Sequence, residues 1–268
     1  MVSGGVGAVM TPHEELIGVR GSSVRVLRGG SGEPLVYLHS LLGEVKWLPF
    51  LDILSRDFTV YVPEHPGFGS SDGLERIDTV QDLAFHYADL LDEIGLEQPH
   101  IAGLSLGGWI AAELAVHYAH RVCKLVLIDA MGLNVAGHFV PDIFAANPGE
   151  TRTLLFVNPD TALAHSFVSD TPSPALLDLM LTSRQAAARV AWNPYLHDPK
   201  LEDRLYRVKA KTLILWGEAD RLIPLEHGRL YERKIKGAKL SIVKGCGHLP
   251  PLENAEDTAR KMANFLKW

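Results

Sequence analysis

Six short runs of β-branched and leucine-rich residues recur along the chain, and longer stretches with helical periodicity separate them. This alternation is typical of βα units, in which helices cover a mostly parallel, buried sheet. Two earlier stretches, 15–19 and 23–27, are predicted to add an antiparallel edge. The six predicted strands are 35–38, 58–62, 100–103, 124–128, 212–216 and 239–243. The sequence therefore predicts an α/β fold.

Apolar residues at three- and four-residue spacing predict the helices between these strands. The stretch 78–94 is predicted to be a helix with one apolar face, in which Asp78 and Gln81 form a capping box. A C-terminal helix is predicted to follow Asn254 as its N-cap. Another helix is predicted to begin around Glu44.

The strand signal stops at Gly132 and resumes at Lys211. The intervening residues form helical pieces that prolines interrupt, which indicates an insertion into the βα core. We therefore predict a core domain of residues 1–131 and 207–268, with a helical cap domain of residues 132–206 inserted after the sixth strand. The interrupting prolines are Pro141, Pro148, Pro159, Pro172, Pro174 and Pro194.

The overall composition is that of a folded globular chain. Of 268 residues, 47% are hydrophobic and 22% are charged, which excludes a disordered or fibrous protein. The net charge of -6 and the lack of a basic run argue against a nucleic-acid partner.

The sequence contains few signals for disulfide formation, export or membrane insertion. Cys123 and Cys246 lie far apart and have no neighbouring thiols, so neither a disulfide framework nor a cysteine zinc site is indicated. The N-terminal stretch has no basic region followed by an apolar run, and no apolar run is long enough to span a bilayer. These features predict a cytoplasmic protein without membrane association.

One motif has direct chemical meaning. The predicted strand at 100–103 continues into Gly103-Leu104-Ser105-Leu106-Gly107, and an alanine-rich helix follows. A GxSxG motif between strand and helix places its serine at a sharp turn, where the flanking residues must be small. The start of the following helix offers a free backbone N–H where an oxyanion forms. Ser105 is therefore a candidate nucleophile.

Together with four other segments, this motif resembles the α/β-hydrolase superfamily over nearly the whole chain. The segment 38–43 is similar to the oxyanion loop after the third strand, and 64–71 is similar to the proline-glycine turn after the fourth. Residues 217–224 resemble the family's acid loop, and 246–250 with the following Glu253 resemble its histidine loop. The order Ser105, Asp220, His248 along the chain is also that of the family.

The resemblance implies a mostly parallel eight-stranded sheet and a catalytic triad of Ser105, His248 and Asp220. In that triad the imidazole takes the proton of the serine, and the carboxylate orients the imidazole. Asp129, at the end of another predicted strand, is the rival candidate for the acid. The implied oxyanion hole consists of the backbone N–H groups of Leu41 and Leu106.

The sequence departs from the family pattern at Ser40, where a glycine is usual. The hydroxyl of Ser40 either donates a hydrogen bond in the oxyanion loop or only packs there.

Several residues narrow the reaction class. A serine at the sharp turn of the GxSxG motif argues against the family members that open epoxides or displace halide, because those members have aspartate at this position. Carbon-carbon bond hydrolases commonly have asparagine before the serine and tryptophan after the histidine, whereas this chain has Leu104 and Leu249. Arginines in the predicted cap remain candidates for binding a substrate carboxylate, although solvated helix faces are their simpler interpretation. They are Arg152, Arg184 and Arg189.

The preferred hypothesis is a serine esterase that cleaves carboxylic esters of small to medium, uncharged substrates through an acyl-enzyme. The alternatives are a carbon-carbon bond hydrolase of the meta-cleavage-product type, a lactonase or thioesterase, and a ligand-binding, receptor-like protein of the same fold. The expected partner is a small-molecule ester, and a homodimer is left open. Aromatic residues of the cap are candidates to line the pocket, namely Phe139, Phe144, Phe156, Phe167, Trp192 and Tyr195.

No cofactor and no metal site are predicted. The glycines of 67–69 are not followed by the lysine of a phosphate-binding loop, and no GxGxxG motif begins a helix. His39 and His65 are predicted to hydrogen-bond backbone groups in tight loops at strand ends.

Overall fold

An eight-stranded sheet forms the centre of the computed structural model, which describes residues 10–267. The strands are β1 (His13–Val19), β2 (Ser22–Gly29), β3 (Glu33–Leu38), β4 (Phe58–Pro63), β5 (His100–Leu104), β6 (Lys124–Ile128), β7 (Lys211–Gly217) and β8 (Lys239–Val243). Their spatial order is β1-β2-β4-β3-β5-β6-β7-β8. The strand pairs β1–β2 and β2–β4 are antiparallel, and the other neighbours are parallel.

The six predicted strands and the antiparallel edge are confirmed. Every residue of β5 is buried, as expected for a central strand that helices cover on both faces. In register, Leu38 of β3 pairs with Gly103 of β5, and Leu104 pairs with Ile128 of β6. The carboxyl ends of the parallel strands therefore meet at one edge of the sheet, where α/β proteins form their sites.

Helices connect and cover the strands. They are α1 (Pro49–Leu54), α2 (Val80–Glu93), α3 (Leu106–His117), α4 (Pro148–Leu155), α5 (Ala162–Phe167), α6 (Pro174–Ala191), α7 (Leu201–Arg204), α8 (Leu225–Lys234), α9 (Pro250–Glu253) and α10 (Ala255–Lys267). Helix α3 is buried on all sides from Leu106 to Val116, because its glycines and alanines let neighbouring elements approach its backbone closely.

The start of α2 differs from the prediction by one residue. The capping box consists of Thr79 and Asp82, not Asp78 and Gln81. Thr79 Oγ1 accepts from the N–H of Asp82 at 3.1 Å, and Asp82 Oδ2 accepts from the N–H of Thr79 at 2.9 Å. The side chain of Gln81 instead donates to Asp198 Oδ2 at 2.6 Å, a tertiary contact that the local pattern does not contain.

The N-cap of the last helix is confirmed. Asn254 Oδ1 accepts a hydrogen bond from the N–H of Asp257 at 3.2 Å, which satisfies one of the free donors at the start of α10.

Helices α4 to α7 all lie in the stretch between β6 and β7, as the proline pattern predicts. We call residues 132–206 the inserted segment. Its α4, α5 and α6 each begin with a side-chain cap, from Asn147, Thr161 and Ser173 respectively. The division of the chain into a core domain (1–131 and 207–268) and a cap domain (132–206) stays a prediction.

Within residues 10–267, no helix combines the length and the apolar character that crossing a membrane requires.

A buried carboxyl group lies in the middle of α3. Glu113 is fully buried and accepts a hydrogen bond from Trp109 Nε1 at 3.2 Å. Burial is the main cause that raises the pKa of Glu113 from 4.5 to about 7, against the lowering effect of the Trp109 bond. Asp198 and Arg204 of the inserted segment also act on this pKa, in opposite directions.

We expect Glu113→Gln to remove a pH dependence of stability. In the unfolded chain this carboxyl ionises near 4.5, whereas in the folded protein it keeps its proton up to a pKa of about 7. The wild-type protein therefore loses stability as the pH rises between these values, and the variant does not. The free energy of unfolding of the variant relative to wild type should increase by about 3 kcal/mol between acidic and mildly alkaline buffer.

Urea denaturation of both proteins at the two pH values measures this difference. The exposed Glu75→Gln is the matched control, and it should show no such change. If the free energy of unfolding changed with pH by the same amount in wild type and Glu113→Gln, Glu113 would ionise in the folded protein as it does in the unfolded chain.

Candidate active site

The three predicted triad residues lie in loops at the same edge of the sheet. Ser105 directly follows β5, Asp220 lies three residues after β7, and His248 lies five residues after β8. Because β5, β7 and β8 are parallel, their carboxyl ends deliver the three side chains to one place.

The turn at Ser105 has the geometry of a nucleophile elbow. Ser105 has φ 58° and ψ -115°, a region that L-residues rarely adopt. Its N–H donates to the carbonyl of Ile128 at 2.9 Å, and its carbonyl accepts from the N–H of Met131 at 3.1 Å. These bonds to the end of β6 and the residues after it hold the strained turn in place.

The two glycines of the motif are required by close backbone contacts. A Cβ on Gly103 would lie 2.1 Å from the carbonyl oxygen of Gly107, and one on Gly107 would lie 2.1 Å from the carbonyl oxygen of Leu38. Real Cβ atoms do not approach other atoms so closely, so no larger residue fits either position without moving backbone.

A chain of hydrogen bonds joins the three side chains. His248 Nε2 lies 2.8 Å from Ser105 Oγ, and His248 Nδ1 lies 2.8 Å from Asp220 Oδ2. Because an ionised carboxylate only accepts, Nδ1 is the protonated nitrogen, and the Nε2 lone pair faces the serine hydroxyl. The Ser105 and His248 side chains are almost completely buried.

Asp220 is held in place by its own loop. Its Oδ1 accepts from the backbone N–H groups of Leu222 at 2.8 Å and Ile223 at 2.9 Å. The rival candidate Asp129 lies close by, but its Oδ1 accepts from the N–H of Gly217 at 2.8 Å. The structure therefore brings Asp220, and not Asp129, into hydrogen-bond contact with the imidazole.

The two predicted oxyanion donors belong to the loop after β3 and to the start of α3. Leu106 is the first residue of α3, and Leu41 lies in a turn that the bond from Gly43 N to Ser40 O closes at 3.3 Å. In the part of the chain that the structure describes, neither N–H has an intramolecular acceptor. Both donors are thus free for a ligand oxygen.

Sequence reasoning missed a carboxylate that organises this turn. Glu44 is buried, and its Oε1 accepts from the N–H of Ser40 at 2.7 Å while its Oε2 accepts from Ser40 Oγ at 2.6 Å. Ser40 Oγ in turn accepts from the N–H of Leu42 at 3.1 Å. Ser40, which replaces the usual glycine, therefore donates rather than only packing, and it leaves the N–H of Leu41 unused.

The prediction of a helix at Glu44 was wrong. Helix α1 begins only at Pro49, because the Glu44 side chain is bound to the turn before it. The serine-to-glutamate spacing of four residues, 40 to 44, is the one local signal for this contact.

His39 and His65 link the loop after β3 to the loop after β4. Their predicted hydrogen bonds to backbone groups are confirmed. His39 Nδ1 donates to the carbonyl of Ser40 at 2.8 Å, and its Nε2 accepts from the N–H of His65 at 3.0 Å. His65 Nε2 lies 2.9 Å from the carbonyl of His39, and the two rings stack at 3.6 Å. Burial is the main cause that lowers the pKa of both rings, so they remain neutral.

An apolar cavity of about 320 Å³ lies beside the loop that follows β3. It borders Leu41 and Leu42 on one side and the inserted segment on the other. Of the predicted pocket aromatics, Phe144 and Phe167 line it, whereas Phe139 is 81% exposed. Further lining residues include Ile143, Val168, Leu177, Met180 and Leu181.

The three arginines of the predicted cap are already bound to protein groups. Arg152 donates to the carbonyl of Val168 at 2.8 Å and pairs with Asp170. Arg189 donates to the carbonyl of Ile77 at 2.6 Å and pairs with Asp78. Arg184, the one that lines the cavity, donates to the carbonyls of residues 143 and 144. Each guanidinium is thus directed at the protein itself.

The inserted segment is tied directly to the histidine loop. The N–H of His248 donates to the carbonyl of Leu155 at 2.9 Å. The Glu253 carboxylate accepts from the N–H of Val157 at 2.8 Å with one oxygen and from the N–H of Gly247 at 2.6 Å with the other. The position of the imidazole therefore depends on residues from the inserted segment.

The sheet topology and the elbow turn together define an α/β hydrolase. The model of the alpha/beta hydrolase family matches residues 29–261, and the chain belongs to this family. It is 30% identical over 266 residues to a 2-hydroxy-6-oxo-6-phenylhexa-2,4-dienoate hydrolase from Comamonas testosteroni, and the match covers 89% of each chain.

Solved structures show the same fold. A bacterial membrane phospholipase A is 27% identical with a TM-score of 0.75, and the match covers 96% of this chain and 86% of that one. The carboxylesterase CesB from Bacillus subtilis is 23% identical with a TM-score of 0.75, and the match covers 96% of this chain and 92% of that one.

Proposed function

We propose that this hydrolase is a serine esterase that cleaves carboxylic esters of small to medium, uncharged substrates. The observation that carries the proposal is the hydrogen-bonded chain from Asp220 through His248 to Ser105, with 2.8 Å at each of its two steps. A serine hydroxyl is a weak nucleophile until a neighbouring base removes its proton, and this chain supplies that base.

In the proposed reaction, Ser105 Oγ attacks the ester carbonyl while its proton passes to His248 Nε2. The tetrahedral intermediate then collapses, the carbon-oxygen bond to the alcohol breaks, and the imidazolium returns the proton to the leaving alkoxide. A water molecule, deprotonated by the same imidazole, attacks the acyl-enzyme and releases the carboxylic acid and the free serine. Asp220 keeps the imidazole oriented and stabilises its protonated form.

The negative charge of the intermediate needs hydrogen-bond donors that are in place beforehand. We assign this role to the backbone N–H groups of Leu41 and Leu106, which are otherwise unused. The start of α3 adds its partial positive charge behind Leu106. Glu44 supports the arrangement by fixing the turn of Leu41 through Ser40.

The apolar cavity that borders Leu41, one of the two proposed oxyanion donors, supports an uncharged substrate. The cavity beside Leu41 is lined mainly by apolar side chains, and its one arginine, Arg184, donates to backbone carbonyls. A substrate carboxylate would lose its hydration there without gaining a free cationic partner.

A carbon-carbon bond hydrolase is the second candidate, because the relative from Comamonas testosteroni is named for a dienoate. Such a substrate carries a carboxylate, and the positions of Leu104 and Leu249 depart from that group of enzymes. Lactones and thioesters react through the same acyl-enzyme chemistry and remain candidates. In a receptor-like protein of the same fold, by contrast, Ser105 would be inert.

We expect a neutral acyl ester to be a better substrate than its carboxylate analogue. In an assay of p-nitrophenyl butyrate against p-nitrophenyl hemisuccinate, kcat/KM should favour the butyrate by roughly tenfold or more, because burying an unpaired carboxylate costs more than 1 kcal/mol. A hydroxy-oxo-dienoate, a lactone and a thioester complete the panel. Preferred turnover of the dienoate would establish the second candidate instead, and failure of a fluorophosphonate probe to label Ser105 would favour the receptor.

The remaining predictions from the sequence belong to this proposal as well. They are a small-molecule ester as the partner, no nucleic acid or membrane association, and a cytoplasmic location. The oligomeric state is left open.

A further inference from the structure

A second buried carboxyl group lies behind the proposed triad. Asp129 directly follows β6, has φ 43° and is fully buried. Its N–H donates to the carbonyl of Leu215 at 3.0 Å, and its Oδ1 accepts from the N–H of Gly217 at 2.8 Å. Its other oxygen, Oδ2, is buried and has no hydrogen-bond donor among the described residues.

The neighbours of Asp129 determine its charge. One oxygen of Asp129, one oxygen of Asp220 and one ring nitrogen of His248 all lie within 4.8 Å of one another. The other ionisable groups that face it are Glu253 and the thiol of Cys246. Two carboxylates in one buried space repel each other, so one of them holds a proton. Burial first, and the charge of Asp220 second, raise the pKa of Asp129 well above its usual value.

Asp220 is the member of the pair with more hydrogen-bond donors around it. It accepts three hydrogen bonds, from Leu222 N, Ile223 N and His248 Nδ1. A carboxylate has about four lone-pair sites, so one site of Asp220 remains for a further donor. Among residues 10–267, the side chain of Asp129 accepts one hydrogen bond.

We propose that Asp129 keeps its proton at neutral pH and donates it from Oδ2 to the remaining lone pair of Asp220, which makes Asp129 a positioning residue for the triad. The inference rests on the proposed function, because it describes how the carboxylate behind His248 is held. It explains the unpartnered oxygen of Asp129, since a protonated oxygen needs an acceptor and an oxygen of Asp220 lies within 4.8 Å of an oxygen of Asp129. The proposal also gives Asp129, the rival candidate for the acid, a role that needs no contact with the imidazole.

Asp129→Asn is the decisive variant. Asparagine keeps an oxygen for the N–H of Gly217 and an N–H for Asp220, and it removes only the ability to ionise. We expect kcat/KM for p-nitrophenyl butyrate to stay within about threefold of wild type, with the acid limb of its pH profile unmoved, because a neutral donor replaces a neutral donor. If Asp129 were ionised, the substitution would remove a charge near His248 and shift the acid limb to lower pH by about one unit.

Asp129→Ala removes the donor. We expect kcat to fall by roughly tenfold with KM nearly unchanged, because Asp220 loses one of its supports while the substrate cavity is untouched. Rescue of this loss by asparagine is the outcome that a space-filling role does not produce. Equal losses in both variants would overturn the proposal. Circular dichroism and a urea titration identify a variant that fails to fold, and the asparagine variant then decides alone.

Infrared difference spectroscopy tests the proton without any assay of turnover. The spectrum of wild type minus Asp129→Asn at neutral pH should contain the carbonyl stretch of a protonated carboxylic acid. Asp89→Asn, at the Arg20 ion pair on the surface, is the matched control and should lose only carboxylate bands. A carboxylate band lost in Asp129→Asn would overturn the proposal. If the protein proved to have no esterase activity, the proposed function would fail, but this spectrum would still show whether Asp129 holds a proton.

Discussion

Replacing Ser105 by alanine is expected to lower kcat for a neutral ester by about ten-thousandfold or more. The substitution removes the proposed attacking oxygen and leaves the imidazole and the proposed oxyanion donors in place, so only the slow reaction with water should remain. The fold should persist, because the backbone bonds of residue 105 to Ile128 and Met131 do not involve its side chain.

Stopped-flow and steady-state assays of p-nitrophenyl butyrate measure this effect, and a fluorophosphonate probe should lose its labelling in parallel. Ser166→Ala is the matched control, because that hydroxyl is exposed and donates to the carbonyl of Leu163 of its own helix. A folded Ser105→Ala protein that retained ester turnover would contradict the assignment of the nucleophile.

A second large effect is expected from Gly103→Ala, this time on stability. The added methyl group would meet the carbonyl of Gly107 within the elbow, where backbone on both sides is fixed by the sheet and by α3. Overpacking at such a rigid position should lower the free energy of unfolding by about 3 kcal/mol. The displaced turn should also move Ser105 away from His248 and reduce kcat.

The midpoint of urea denaturation measures the loss of stability. Gly18→Ala, in the exposed strand β1, is the control, because no atom of the described residues lies within 4 Å of its added Cβ and its φ is not positive. This control should leave the midpoint unchanged or slightly raised. If Gly103→Ala were as stable as Gly18→Ala, the backbone around Ser105 would be able to move aside for the added methyl group, contrary to this prediction.

The positions of the strands along the chain and the turn at Ser105 were predictable because local pattern determines both. Buried parallel strands are continuous apolar runs, and the Gly103 to Gly107 motif shows the tight turn directly. Once the strands are assigned, parallel topology places Ser105 and the loops of Asp220 and His248 at the same edge of the sheet. These features therefore need no knowledge of the inserted segment.

The partners of individual polar side chains were not predictable in the same way. Glu44 resembles a helix start in sequence, but its carboxylate is bound to Ser40. The arginines of the inserted segment could be read as substrate ligands until their carbonyl partners were known. In each case the local pattern leaves a polar side chain without a partner, and only the folded chain supplies one.

The bonds of Leu155 and Val157 to the histidine loop limit how this scaffold can be recombined. A chimaera with a foreign segment between β6 and β7, whose backbone follows another path at these positions, would leave the N–H of His248 without its acceptor and Glu253 without one of its two donors. Residues 155–157 and 247–253 should therefore be exchanged together, as a single cassette, when new specificities are built on this hydrolase.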